Sequence, residues 1–361
     1  MAALTGLRLA GAEAGGGIDV TRGCGLGPDE LSESKHIEDR MITESARSRV
    51  SDSSTQPLVS VVITCYNQSR FLAQAINSVL TQIYPHFEII VVDDGSTDDT
   101  SEVLARYPVV RYLRHANRGV SATRNRGFYE SKGEHVIFLD GDDRLLPNAM
   151  QTGVNCLKEH SENAFVFGWC RLISDDGVPL PTLQPDVTHA DKYLTLLRRN
   201  YIWMPALVMF QREAFERVGG FVVSADHSGD YDLYLRLARQ FPIHCHHQTI
   251  AEWRQHEANT SRNFGLMLRE ALMVLRAQKH FVRGNKDYKA AYKLGIRHYQ
   301  ELYGDPLAEN VRVCLRNRNY WRRAIEGVLI LLRYYPQGLI KHAAGKLSAT
   351  AQRVGARRKA G

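Results

Sequence analysis

The chain has 361 residues, a length prior of about two domains, and its 44% hydrophobic and 24% charged content excludes a disordered, collagen-like or coiled-coil protein. No apolar run nears the ~18 to 20 residues of a membrane span; the best C-terminal candidate, Gly327 to Leu332, is closed by Glu326 and Arg333. The net charge of +7 is unevenly placed, with 6 Lys+Arg against 9 Asp+Glu in residues 1–56, 20 against 24 in 57–264 and 20 against 6 in 265–361, so any pull toward an anionic partner belongs to the last quarter.

Met1-Ala-Ala-Leu-Thr-Gly has neither a basic lead nor a sustained apolar block, so no secretory signal is expected. Six cysteines without a CxxC pair suggest reduced thiols in a cytoplasmic protein. Residues 1–56 mix Gly, Ser, Thr and charge, as in Gly15-Gly16-Gly17, without periodicity and read as a mobile, disordered leader. From Pro57 the texture changes. Leu58 to Cys65 (LVSVVITC), Phe87 to Val92 (FEIIVV), Val109 to Leu113 and His135 to Leu139 (HVIFL) read as buried strands. Between the first two, Phe71, Ala75, Ile76, Val79 and Leu80 form one helical face, and Ser96 with Asp99 predicts a helix over Thr97 to Arg106. Strand and helix alternating at this spacing imply a parallel sheet covered on both faces, with ligands at the carboxyl ends of the strands.

Beyond residue 145 the regularity loosens. Asp175-Asp176-Gly177 marks a hairpin, Ala206 to Phe210 a short strand, and Gly219-Gly220 the end of a helix begun near Arg212. Leu233, Leu235, Leu237 and Ala238 follow Asp230 as a half-buried helix. From Leu266 onward the chain reads as helices, broken at Gly304-Asp305-Pro306 and at Pro336.

Carboxylates stand where two strands end, in Asp93-Asp94-Gly95-Ser96 and in Asp140-Gly141-Asp142-Asp143. Either alone is turn chemistry. Two on one edge of a sheet favour a site, and hard oxygens one small residue apart suit Mg2+ or Mn2+ with water and phosphate in the remaining positions.

In order along residues 57–262, VVITCYNQ, IIVVDDGSTDDT, NRGVSATRNRG, FLDGDD and DYDLYLRLA resemble a family 2 glycosyltransferase. That resemblance implies a GT-A nucleotide-binding α/β fold, a mostly parallel sheet flanked by helices, with a nucleotide-sugar half over 57–145 and an acceptor half over 146–264. Residues 265–361 form a basic, helical C-terminal extension. The implied reaction is inverting, metal-dependent transfer of a sugar from a nucleotide diphosphate, UDP-linked by this reading, to a glycan or lipid-linked acceptor in cell-surface polysaccharide or glycolipid synthesis.

The resemblance also implies roles. Thr64 and Tyr66 lie beside the base, Asp93 with Asp94 contacts base and ribose, and Arg124 and Asn125 reach the diphosphate or ribose. Arg124 read alone is a solvated helix face. Asp140-Gly-Asp142 matches the DxD motif, with Asp140 on the ribose, Asp142 on the metal, and Asp143 orienting a neighbour. His256 joins the metal or the diphosphate. Asp230 is the catalytic base, although relatives have glutamate where this chain has Gly229, and a helix N-cap is its structural alternative.

Zinc at His244-Cys245-His246-His247 is disfavoured, because strand alternation would point those side chains to opposite faces. Trp203 and Met204-Pro205 suit an acceptor cleft or ordinary packing equally. The tail, with Trp321, Arg322, Arg323, Arg333, Lys341, Lys346 and Arg357-Arg358-Lys359, suits a helical cap, peripheral contact with the cytosolic face of an anionic membrane, or both. No nucleic-acid signature is present. Two rival functions stand beside transfer. One is a non-catalytic nucleotide-sugar-binding module. The other is a sugar nucleotidyltransferase, which should carry a glycine-rich basic loop where this chain has CYNQSR.

Overall fold

The computed structural model describes residues 56–187, 189–316 and 318–341. The leader, but for Gln56, and the end from residue 342 onward lie outside them. Four strands form the parallel part of one sheet: β1 (Val59–Cys65), β2 (Phe87–Asp93), β3 (Arg111–Arg114) and β4 (His135–Asp140). Their order is β3-β2-β1-β4, and every residue of β1 is buried because helices cover both faces. Helix α1 (Ser69–Leu80) buries Phe71, Leu72, Ala75, Ile76 and Val79. Leu80, expected on that face, is exposed, since it falls about 100° from the centre of the stripe while Leu72 falls inside it.

Two elements are shorter than the sequence predicts. Helix α2 covers only Thr100–Leu104. Its expected first turn is drawn elsewhere: Thr97 N donates to Asn67 Oδ1 (2.8 Å), and Asp98 accepts from Ser69 N (2.9 Å) and Thr100 Oγ1 (2.6 Å). Strand β3 starts at Arg111, since Val110 N closes a turn onto Tyr107 O and Val109 is exposed. Helix α3 (Val120–Glu130) packs on β1 so closely that a Cβ at Gly127 would lie 2.2 Å from Val62 Cγ1.

The second half continues the same sheet. After β5 (Arg144–Leu145) and α4 (Ala149–Glu159) come β6 (Phe165–Ile173) and β7 (Pro179–Leu180), an antiparallel pair turned at Gly177 as the sequence indicates. Next are α5 (Lys192–Arg198), β8 (Val208–Gln211), α6 (Arg212–Val218), α7 (Gly229–Ala238) and β9 (Ile243–Arg254). The full order is β3-β2-β1-β4-β8-β6-β9-β5, with β8 antiparallel to β4 and β6, and β6 parallel to β9. The β6/β9 register slips opposite Phe167 to Trp169 and His247 takes φ 56°, so strict alternation across the histidine cluster does not hold. Helix α6 ends at Gly219 in the left-handed conformation (φ 83°).

Among the described residues, α8 (Phe264–Ala277), α9 (Lys286–Tyr299), α10 (Asp305–Leu315) and α11 (Trp321–Tyr334) follow, and 336–341 are helical after a break at Tyr335. The expected break at Gly304-Asp305-Pro306 is a π turn, Gln300–Gly304, leading directly into α10. Pro306 sits in the first turn, where no donor is needed. These helices share the core of the acceptor half, with Tyr193 hydroxyl donating to Gln278 Oε1 (3.1 Å) and Tyr231 and Tyr299 ring to ring at 5.6 Å.

Candidate functional site

Register brings the first residues together. Thr64 on β1 pairs with Asp140 on β4, and Cys65 pairs with Asp93 on β2, so the two carboxylates end the strands that flank β1, on one edge of the sheet. Thr64 Oγ1 donates to Asp140 Oδ1 (3.0 Å), and Arg124 Nη2 donates to the same oxygen (2.7 Å). Arg124 is only 5% exposed and lies over the Phe221 ring, which excludes the solvated-face reading. Its Nε and the Tyr234 hydroxyl are buried without a hydrogen-bond partner among the described residues. Buried polar atoms left open in this way mark room for a ligand or water.

The Asp140-Gly-Asp-Asp turn is held from beneath. Asp143 N closes it onto Asp140 O (3.0 Å), and buried Arg254 donates through Nε to Asp142 O (2.9 Å), through Nη1 to Asp175 O (2.8 Å) and through Nη2 to Gln74 Oε1 (2.8 Å). Asp143 accepts Arg254 N (2.9 Å). Burial, reinforced by the charges of Asp142 and Asp140, holds the Asp143 carboxyl well above the usual range. Asp142 Oδ2 instead meets His256 Nε2 at 2.9 Å, with the imidazole beside the Phe71 ring. A hard carboxylate oxygen next to an imidazole fits a divalent cation. Among the described residues no third His, Cys, Asp or Glu joins them, so a cation held here would keep positions for phosphate and water.

Asp230 is half-buried in the first turn of α7, where its Oδ1 accepts Tyr231 N (2.8 Å). Burial pushes its carboxyl up to about 6, against the pull of Arg124 and with a push from Asp140. Those two influences place Asp230 in the same electrostatic neighbourhood as the Arg124–Asp140 pair. The N-cap alternative is corrected, because the helix starts at Gly229 and Ser228 occupies the cap position. Gly229 has a local cause: a Cβ there would lie 2.5 Å from Ser121 Oγ, so a glutamate cannot stand at 229 without displacing Ser121.

Three of the expected contacts are engaged otherwise. Asp93 accepts Ser96 N (2.7 Å) and Tyr112 hydroxyl (2.9 Å) and pairs with Arg114, so each oxygen already has a protein donor. Asp94 accepts Arg118 N (2.7 Å) and Gly119 N (3.0 Å) and shapes the entry to α3. Asn125, expected on the diphosphate or ribose, clasps the Phe221 backbone: its amide donates to Phe221 O and accepts Phe221 N, both at 2.9 Å. Tyr66 is exposed at the end of β1, Met204 and Pro205 are buried, and Trp203 leans on Trp253 at 6.4 Å, which favours packing for that segment.

Other residues at the site escape sequence reasoning. Asp226 accepts Ser121 N (2.7 Å) and Val120 N (3.2 Å) at the start of α3, capping it from 105 residues away. Tyr299 stacks on Tyr303 at 6.0 Å, and burial with the charge of Asp230 pushes the Tyr303 hydroxyl up to about 12. The π turn thus brings a C-terminal tyrosine to the neighbourhood of the candidate base. Tyr234, one turn after Asp230 on α7, was legible as a helix-face neighbour at i+4.

Residues 60–219 match the model of glycosyl transferase family 2. An uncharacterized glycosyltransferase of Rickettsia felis is 28% identical over 76% of this chain and 50% of its own length. The putative teichuronic acid biosynthesis glycosyltransferase TuaG of Bacillus subtilis is 34% identical over 44% of this chain and 64% of its own. Chondroitin synthase of Escherichia coli is 27% identical over 68% and 34%. The chain therefore spans about half the length of the Rickettsia felis relative. Among solved structures, S. aureus TarS 1-349 in complex with UDP-GlcNAc superposes with a TM-score of 0.51 at 16% identity, covering 80% of this chain and 92% of that one, a likeness of fold.

Proposed function

We propose that this chain, which belongs to glycosyl transferase family 2, transfers a sugar with inversion from a nucleotide diphosphate donor, UDP-linked in the first instance, to a glycan or lipid-linked acceptor. The observation that carries this reading is the convergence of Asp230 with the Arg124–Asp140 pair at the end of β4. Relatives named for teichuronic acid biosynthesis and for chondroitin synthesis support an acceptor in cell-surface polysaccharide.

In this mechanism Asp230 takes the proton of the acceptor hydroxyl as it attacks opposite the leaving group, so one carboxylate suffices for a single displacement. Its half-buried place keeps the carboxylate basic enough to accept that proton near neutral pH. Thr64 and Arg124 hold Asp140 in one orientation, Asp140 would meet the ribose, and the Arg124 guanidinium would meet the donor's anionic part. Asp142 and His256 would hold Mn2+ or Mg2+, which as a Lewis acid would stabilise charge gathering on the departing nucleotide diphosphate. No helix among the described residues is long and apolar enough to cross a membrane.

The test is a panel of nucleotide sugars incubated with the full chain and Mn2+, Mg2+ or chelator, scoring nucleotide release and transfer for wild type and Asp230→Asn. Retained donor affinity with transfer abolished in the variant supports the assignment. Transfer at the wild-type rate overturns Asp230 as base, and no release from any donor with any metal favours a binding module.

A further inference from the structure

The charge excess of the last quarter meets a face of α11 left exposed among the described residues. Ala324, Gly327 and Leu331 form the buried side of this helix, packed so closely on α10 that a Cβ at Gly327 would lie 2.4 Å from Val311 Cγ2. On another side Trp321, Ile325, Leu329 and Leu332 follow at spacings of four, four and three, one continuous stripe on an α-helix. All four are exposed, at 54, 48, 60 and 55%. Scattered exposed leucines are ordinary, whereas an aligned apolar row with a tryptophan at one end is not. Val313 and Leu315 at the end of α10, with Tyr320 in the turn before α11, add exposed apolar surface nearby.

The flanks identify the occupant. Arg322 and Arg333 stand one residue beyond Trp321 and Leu332, on the same border of the stripe, and neither has a carboxylate partner among the described residues. Their guanidiniums lie over Trp321 (5.8 Å) and Tyr334 (5.7 Å). Residues 265–361 carry 20 Lys+Arg against 6 Asp+Glu, and five of those basic side chains but none of the acidic ones fall in the last twenty residues. An apolar stripe with an aromatic end and an arginine border, on a strongly cationic segment, has the composition of a helix lying in a lipid interface.

We propose that α11 docks this chain on an anionic lipid surface, with Trp321, Ile325, Leu329 and Leu332 at the level of the acyl chains and Arg322 and Arg333 on the headgroup phosphates. The inference deepens the reading of a lipid-linked acceptor, but its test needs no donor, so the two fail separately.

The experiment is co-sedimentation of the full chain with phosphatidylcholine vesicles and with vesicles that also contain phosphatidylglycerol. The expected result is binding to the anionic vesicles that weakens with salt, and a drop of about tenfold or more in partitioning for Leu329→Glu. Leu329→Gln, which adds no charge, should give a smaller drop with an unchanged melting temperature. Brominated acyl chains should quench tryptophan fluorescence in the wild type and do so less in Trp321→Phe. Equal binding to neutral and anionic vesicles removes the arginine border from the proposal. Unchanged partitioning of folded Leu329→Glu overturns it. So does a wild-type dimer that binds no vesicle and becomes monomeric in Leu329→Glu, which would assign the face to a second copy.

Discussion

Arg124 Nη2 donates to Asp140 Oδ1 at 2.7 Å, joining the middle of α3 to the end of β4 within electrostatic reach of the candidate base. Arg124→Met leaves Asp140 with Thr64 alone and removes the positive charge that restrains the rise in the Asp230 pKa. Losing one member of a buried pair costs about 3 to 5 kcal/mol. We expect a lower denaturation midpoint, weaker donor binding by calorimetry, and a base that titrates at higher pH. Arg124→Lys should not restore donor binding, because a point charge cannot replace the fork.

The pH profile follows from Asp230. Its carboxyl, raised to about 6, must be deprotonated to act as base, so transfer should fall as pH drops below about 6 and level off above it. The sign for stability is the reverse of an ordinary carboxylate. Between the usual value and about 6 the folded chain holds a proton that the unfolded chain releases, so stability declines as pH rises through that window. Asp230→Asn should therefore be as stable as wild type below the usual carboxylate value of 3.8, and more stable at pH 8. At about 1.4 kcal/mol per pKa unit the gain is bounded by ~3 kcal/mol. A flat difference between the two melting curves would refute the shift.

For Asp142 and His256 the expected effect is on metal demand. His256→Gln and Asp142→Asn should each raise the Mn2+ concentration giving half-maximal nucleotide release, by about tenfold or more, with little change in melting temperature. Chelator should abolish release in the wild type. Release indifferent to chelator would remove the cation from the mechanism.

Gly229 and Ser121 make a two-residue test. A side chain at 229 meets Ser121 Oγ, so Gly229→Ala should destabilise by about 1 to 3 kcal/mol, and Ser121→Ala in the same chain should recover much of that loss. Additive effects in this double-mutant cycle would show that the contact does not govern the residue choice.

Tyr303 lies in the charge field of Asp230 from an element outside the 60–219 match. Tyr303→Phe keeps the stack on Tyr299 and removes the hydroxyl. We expect its donor affinity to stay unchanged and the pH midpoint of transfer to move. A midpoint identical to wild type would reduce Tyr303 to packing.

Much of the first half was legible because its signals are local. The apolar runs of β1, β2 and β4 announce strands buried on both faces, and the acidic turns after β2 and β4 stand where a parallel sheet presents its ligand edge. Boundaries moved where side chains intervened, as Asn67 and Asp98 did at the start of α2. The histidine cluster was misjudged in its geometry, since a slipped register and a positive φ at His247 leave no mark in composition.

The sequence by itself determined the strands of the parallel half and marked Asp140 and Asp142 at a strand end, because periodicity and turn chemistry act over a few residues, whereas Asp230 was marked only by the resemblance to a family 2 glycosyltransferase. Tertiary structure alone decided what those acids touch: Arg124 on Asp140, His256 on Asp142, Asp226 capping α3, and a tyrosine of the π turn near Asp230. Such contacts join residues 16 to more than 100 positions apart, and only chain closure around a shared core brings them within hydrogen-bond or Coulomb range.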